Sequence, residues 1–148
     1  MKKICLVCSS GSASFIAEKL MNYHLKKYNL KTIKVFSSCL RVKVGDKTSQ
    51  KAIFALKRVG VIAKPKLETQ LTLSMIDDFD LVITLTSQEK NYLKSKSNVY
   101  SIAELINVND VSAIQNKTQD EYNQVAEQLE WYTKILVQKL FELEKESI

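Results

Sequence analysis

The chain has 148 residues, 26% of them charged and 45% apolar, proportions ordinary for one globular domain with a core of its own. Three glycines and one proline exclude a repeat, a linker or a low-complexity stretch. The net charge of +6 is almost all lysine, with arginine only at Arg41 and Arg58. That pattern argues against a nucleic-acid reader, which clusters arginine with aromatics.

Residues 3–8, "KICLVC", form a short apolar run read as a strand buried on both faces. The run is too short and too polar at its edges for a secretory leader, and no stretch approaches the roughly 20 apolar residues of a membrane span. The expectation is a cytoplasmic protein occupying 1–148 as a single domain. Phe15, Ile16, Leu20 and Tyr23 give helical spacing over 14–28, with Ser14 as the expected N-cap. "TIKVFS" (32–37) reads as a second strand, followed by a helix over 49–60 that stops at Gly60. A short helix is expected within 71–79, a buried strand over 80–86, a helix capped by Ser87, and a fourth strand over 98–102. A long helix over 118–144 carries Tyr122, Val125, Leu129, Thr133, Leu136 and Leu140 as one stripe.

Strands alternating with helices predict an α/β three-layer sandwich with a parallel sheet. Ligands of such sheets bind beyond the carboxyl ends of the strands, often at a helix N-terminus. The segment "VCSSGSAS" (7–14) lies at that place. Small residues Ser9, Ser10, Gly11, Ser12, Ala13 and Ser14 allow close backbone approach, so successive N–H groups can face an oxyanion. The same donors and the helix dipole are expected to lower the pKa of Cys8. A buried cysteine ending a strand beside a serine-rich turn is the plainer reading of the same residues. Cys5, Cys8 and Cys39, with one histidine at His24 and no CxxC, give no zinc set and no disulfide framework. No cofactor or metal is expected.

The whole chain resembles the low-molecular-weight protein tyrosine phosphatases. Their signature, V-C-x-G-N-x-C-R-S-P-x-A-E, is similar to "VCSSGSASFIAE", which is one residue shorter. "DLVITLTSQEK" is similar to the family's D-L-I-x-x-M-T-x-x-H-K block. The segment from "NDVSAIQNKT" onward resembles its D-V-x-D-P-F-G-G stretch and final helix. The resemblance implies a four-stranded parallel sheet of order 2-1-3-4, with Cys8 as nucleophile and the 9–14 loop as phosphate binder.

Two parts of that pattern are missing. The loop arginine has no counterpart, and the acid of the D-P pair falls on Ala113. The arginine clamps equatorial oxygens, and one such donor is worth about 3–4 kcal/mol in rate. Protonation of a phenolate leaving group contributes roughly 10²–10⁴-fold. Arg41, on the loop after the second strand, is a surface arginine that could approach a bound phosphate. Asp110 is a weak substitute acid, and His24 lies too far along its helix to act as base.

The expected function is a phosphatase-like protein with hydrolysis through a phosphocysteine impaired or lost, taking phosphate or a phosphorylated protein or small molecule. Two alternatives stand beside it: an active phosphatase of altered mechanism or substrate, and a phosphocysteine carrier. The carrier reading rests on about the first thirty residues, where "CSSGSAS" is similar to the loop of sugar phosphotransferase IIB subunits. The arsenate reductases of this fold need a cysteine pair after the third strand, and no cysteine follows Cys39.

Overall fold

The computed structural model describes residues 2–146. Four parallel strands, β1 (Lys2–Cys8), β2 (Ile33–Cys39), β3 (Leu81–Thr84) and β4 (Val99–Ser101), lie in the order β2-β1-β3-β4. The expected α/β fold and strand order are those observed. Six helices lie among the described residues: α1 (Ala13–Lys27), α2 (Gln50–Arg58), α3 (Leu73–Ile76), α4 (Ser87–Tyr92), α5 (Ile102–Ile106) and α6 (Gln119–Glu146).

The central strand shows why the sheet needs cover on both sides. Along β1, Ile4, Leu6 and Cys8 join a core with buried residues of α1, α2 and α6. Cys5 and Val7 point the other way, into a smaller cluster with Leu71, Ile76 and Leu93. The two-residue period of a strand thus reads as an unbroken apolar run. Of the predicted stripe on α6, Tyr122, Val125, Leu129, Thr133 and Leu136 are buried, and Leu140 packs partly buried against them. On the opposite side of the same helix Trp131 is exposed.

Helix ends depart from expectation where hydroxyls found other work. The N-cap of α1 is Ser12, not Ser14, and Ser12 makes no side-chain cap bond because its hydroxyl is bound elsewhere in the loop. The N-cap of α4 is Thr86 rather than Ser87, closing a capping box with Glu89. The helix over 49–60 is shorter: Ser49 caps it, and a left-handed Gly60 (φ +91°) ends it. There Gly60 N–H bonds Lys57 O and Val61 N–H bonds Leu56 O, an arrangement that joins two buried side chains, Leu56 and Val61. Helix α5 was not expected at all; it is a single turn begun by the Ser101–Glu104 capping box.

Candidate active site

In register with Cys8 at the end of β1 stands Cys39, the last residue of β2. Beyond them the two connections stay together, with Leu40 N–H bonding Cys8 O and Arg41 N–H bonding Ser9 O. Residues 9–12 then turn back to start α1, which requires the left-handed conformation of Gly11 (φ +80°).

Three hydroxyls of this turn, those of Ser9, Ser12 and Ser14, are engaged. Ser9 Oγ donates to Glu89 Oε2 at 2.7 Å, and Glu89 Oε1 accepts from Thr86 N–H. Ser12 Oγ accepts from Ser49 N–H at 2.8 Å and donates to Glu68 Oε1 at 3.2 Å. Ser14 Oγ lies 3.1 Å from Cys8 Sγ and 3.7 Å from Cys39 Sγ. Ser10 is exposed at the tip and Ala13 is half-buried. Two carboxylates therefore border the loop, and burial raises the pKa of one of them, Glu68.

Around Cys8 Sγ stand Cys39 Sγ at 3.2 Å, Gly11 O at 3.5 Å and Ser10 O at 3.7 Å. The expectation of a lowered Cys8 pKa is corrected here. Its hydrogen bond with Cys39 and complete burial push the Cys8 thiol well up, outweighing the hydroxyl and N–H of Ser14. The Cys39 thiol is shifted down, chiefly by its hydrogen bond with Cys8. Cys39, rather than Cys8, is thus the more acidic thiol of the pair. Cys5, on the other face of the sheet, is raised to about 11 by burial.

Two cavities flank the turn. One of about 380 Å³ has Cys8, Ser9, Ser10, Glu89 and Asp110 on its wall. Both oxygens of Asp110 accept from Ser87, one from its N–H and one from its hydroxyl. Ala113, where the acid was expected, is exposed; the loop after it wraps the carboxylate of Glu121, which accepts from the N–H groups of Gln115, Asn116 and Thr118. The other cavity, of about 870 Å³, runs from Ser10, Gly11 and Ser12 to Arg41, Lys43, Lys47, Lys51 and Lys117. Asp46 and Glu68 are its acidic members. His24 is far down α1 and buried, consistent with packing. Among the described residues, no cluster of three or more histidine, cysteine, aspartate or glutamate side chains could hold a metal.

Glu89, Glu68 and the hub position of Ser12 were not anticipated from sequence. The T-S-Q-E spacing at 86–89 is a readable capping box and so locates Glu89, but nothing local joins Glu68 to Ser12, 56 residues away.

The sequence pattern described as low molecular weight phosphotyrosine protein phosphatase matches residues 3–146. The chain belongs to that family. A search of curated proteins gave no match. Among solved structures, a low-molecular-weight protein tyrosine phosphatase from Bacillus subtilis is 25% identical, with a TM-score of 0.83, over 93% of this chain and 96% of that one. The YwlE arginine phosphatase from Geobacillus stearothermophilus is 21% identical, with a TM-score of 0.85, over 99% and 97%. A protein tyrosine phosphatase from Entamoeba histolytica is 17% identical, with a TM-score of 0.84, over 97% and 99%. The likeness to the phosphatase family is thus end to end, whereas the phosphocarrier likeness stopped after about thirty residues. Within the family, this member has a loop of residues 8–14 that contains no cation.

Proposed function

We propose that this phosphatase-family protein has impaired or lost hydrolysis of phosphomonoesters at Cys8, and that it binds phosphorylated proteins or small molecules beside the 9–14 loop. The observation that carries this reading is the surroundings of Cys8 Sγ. Carbonyl oxygens of Ser10 and Gly11 and the thiol of Cys39 approach the sulfur, and no arginine follows in the loop. Carbonyl oxygens repel a phosphoryl group, and a protonated thiol is a poor nucleophile. Cys8 is the residual nucleophile and Asp110 the residual acid, its oxygens already occupied by Ser87.

Anion binding is supported by the larger cavity, where Ser10, Gly11 and Ser12 face Arg41 and four lysines. The protein acts in the cytoplasm on this reading; no helix among the described residues is long and apolar enough to cross a membrane.

Steady-state kinetics on a phosphotyrosine peptide test the proposal, with the B. subtilis relative assayed alongside. Two absent catalytic groups imply at least about 10³-fold lower kcat/KM than the relative. An activated aryl phosphate should lose less, because its leaving group needs little protonation. Turnover equal to the relative's, abolished in Cys8→Ser, would overturn the loss of catalysis.

A further inference from the structure

The larger cavity beside the 9–14 loop holds more positive charge than one phosphate neutralises. We propose, building on the anion binding read from that cavity, that its ligand is a small molecule carrying at least two phosphoryl groups. One would sit at the Ser10–Ser12 turn beside Arg41, the other at Lys51 and Lys117.

The charges on the wall set the class of ligand. Five cations, Arg41, Lys43, Lys47, Lys51 and Lys117, stand against two carboxylates, Asp46 and Glu68, which leaves a balance of three positive charges. Glu68 is also engaged by the hydroxyl of Ser12. A phosphomonoester brings about two negative charges at neutral pH, so one alone leaves the site positive. None of the five cations forms an ion pair among the described residues, whereas Lys19, Lys66, Lys90, Lys96 and Arg58 all do. Unpaired like charges gathered on one wall repel each other, and a ligand of higher charge relieves that repulsion.

The cations also come from two parts of the chain. Arg41, Lys43 and Lys47 follow β2, and the backbone of Arg41 is fastened to the turn by its N–H bond to Ser9 O at 3.0 Å. Lys51 lies in the first turn of α2 and Lys117 just before α6. These two are tied together: Lys51 Nζ donates to Lys117 O at 2.7 Å, and Gln119 Nε2 donates to Lys51 O at 2.9 Å. Both groups of cations line one cavity of about 870 Å³, a size typical of small-molecule sites and far more than a lone phosphate fills.

Lys117 is held in this wall in a strained backbone conformation. Its φ is +55°, and the other non-glycine residues of positive φ among those described are Asn29 and Asn107, a residue type that adopts this conformation readily. The carboxylate of Glu121 fixes the turn by accepting from the N–H groups of Gln115, Asn116 and Thr118. A lysine kept where asparagine would sit more easily points to a use for its charge.

Calorimetric titration of the whole chain at low salt tests the proposal. Pyrophosphate is set against inorganic phosphate, and a hexose bisphosphate against the hexose monophosphate. At least one two-phosphoryl probe should bind at least about tenfold tighter than its counterpart, because its second contact is made intramolecularly. Lys117→Asn removes the cation and suits the left-handed backbone, so the thermal midpoint should hold while that preference shrinks at least about fivefold. Lys57→Gln, on the exposed side of α2 and outside the cavity, should leave the preference unchanged. Equal affinity within both pairs would overturn the two-phosphoryl ligand and leave single-phosphate binding standing. No binding of any of the four probes would remove the anion site itself. Citrate held as tightly as the better probe, or equal losses in Lys117→Asn and Lys57→Gln, would reduce the preference to diffuse attraction and overturn it too. The wild-type titrations decide the matter even if substituted chains fold poorly.

Discussion

Ser9 Oγ donates a 2.7 Å hydrogen bond to Glu89 Oε2, tying the phosphatase-like loop to the first turn of the helix after β3. The loop's first hydroxyl thus serves a buried carboxylate instead of a ligand. Glu89→Gln keeps an acceptor for Thr86 N–H and removes the negative charge beside the loop. Sulfate binding at low salt should tighten roughly fivefold, as expected for about 1 kcal/mol of relieved repulsion near a solvated surface. Calorimetric titration checks this; unchanged affinity would mean that Glu89 is not felt at the anion site.

Charge reversal should identify where an anion sits. Arg41→Glu combined with Lys47→Glu places two carboxylates on the wall of the large cavity without touching the residues packed under it. Phosphopeptide affinity should fall at least about tenfold at low salt, with a smaller difference at high salt because exposed charges are screened. Equal affinity of wild type and double variant would remove this cavity as the binding surface.

Glu18 supplies an acid limb to the stability curve. Burial raises its carboxyl, but the hydrogen bond and charge of Lys66, the Ser37 hydroxyl and Lys19 outweigh that, and the net shift is down. A lowered folded pKa contributes stability above the ordinary carboxylate value of 4.5, and the contribution is lost as pH falls through the lowered one. Glu18→Gln should therefore cost about 1–3 kcal/mol at pH 7 and converge with wild type in acid. Urea midpoints across that range measure it. A constant difference at all pH values would mean the loss is packing alone.

His24 acts at a higher pH. It is buried on α1, its Nε2 has no hydrogen bond, and Glu130 Oε1 lies 3.8 Å away. Burial lowers its pKa, and the attraction of Glu130 only partly offsets this. The unfolded chain then binds the proton more readily, so stability declines as pH falls below 6.5 toward the lowered value. His24→Leu should flatten that segment while staying within about 1 kcal/mol of wild type at pH 7. Thermal melts from pH 7.5 to about 5 report the slope; an unaltered slope would assign the effect to another group.

The strands and layers were legible because β1 and β3 are apolar runs bounded by helices with clear spacing, a signal carried by neighbouring residues, whereas the sheet order came from the family resemblance. Cap assignments failed where a hydroxyl is recruited from afar, as with Ser12, which bonds Ser49 and Glu68 rather than its own helix. The strand-to-helix turn at residues 8–14, where the candidate site is proposed, was legible as a turn. Its electrostatics were not. The lowered pKa expected for Cys8 assumed donors around the sulfur, whereas the acceptor carbonyls and the Cys39 thiol reach it through folding of the turn and pairing of β2. A residue 31 positions away decides the protonation of Cys8, and no window of sequence contains both signals.

The chain has one tryptophan, and its side chain is 62% exposed on α6, turned away from the core that holds Cys8. Indole emission in the native protein should already resemble that of a hydrated side chain. Unfolding would then shift its colour little, and ligand uptake at the loop would leave it almost dark to observation. Its usefulness lies elsewhere: Trp131 is a built-in lamp on the outer side of the longest helix, and a blue shift there would signal that another molecule has settled on that side.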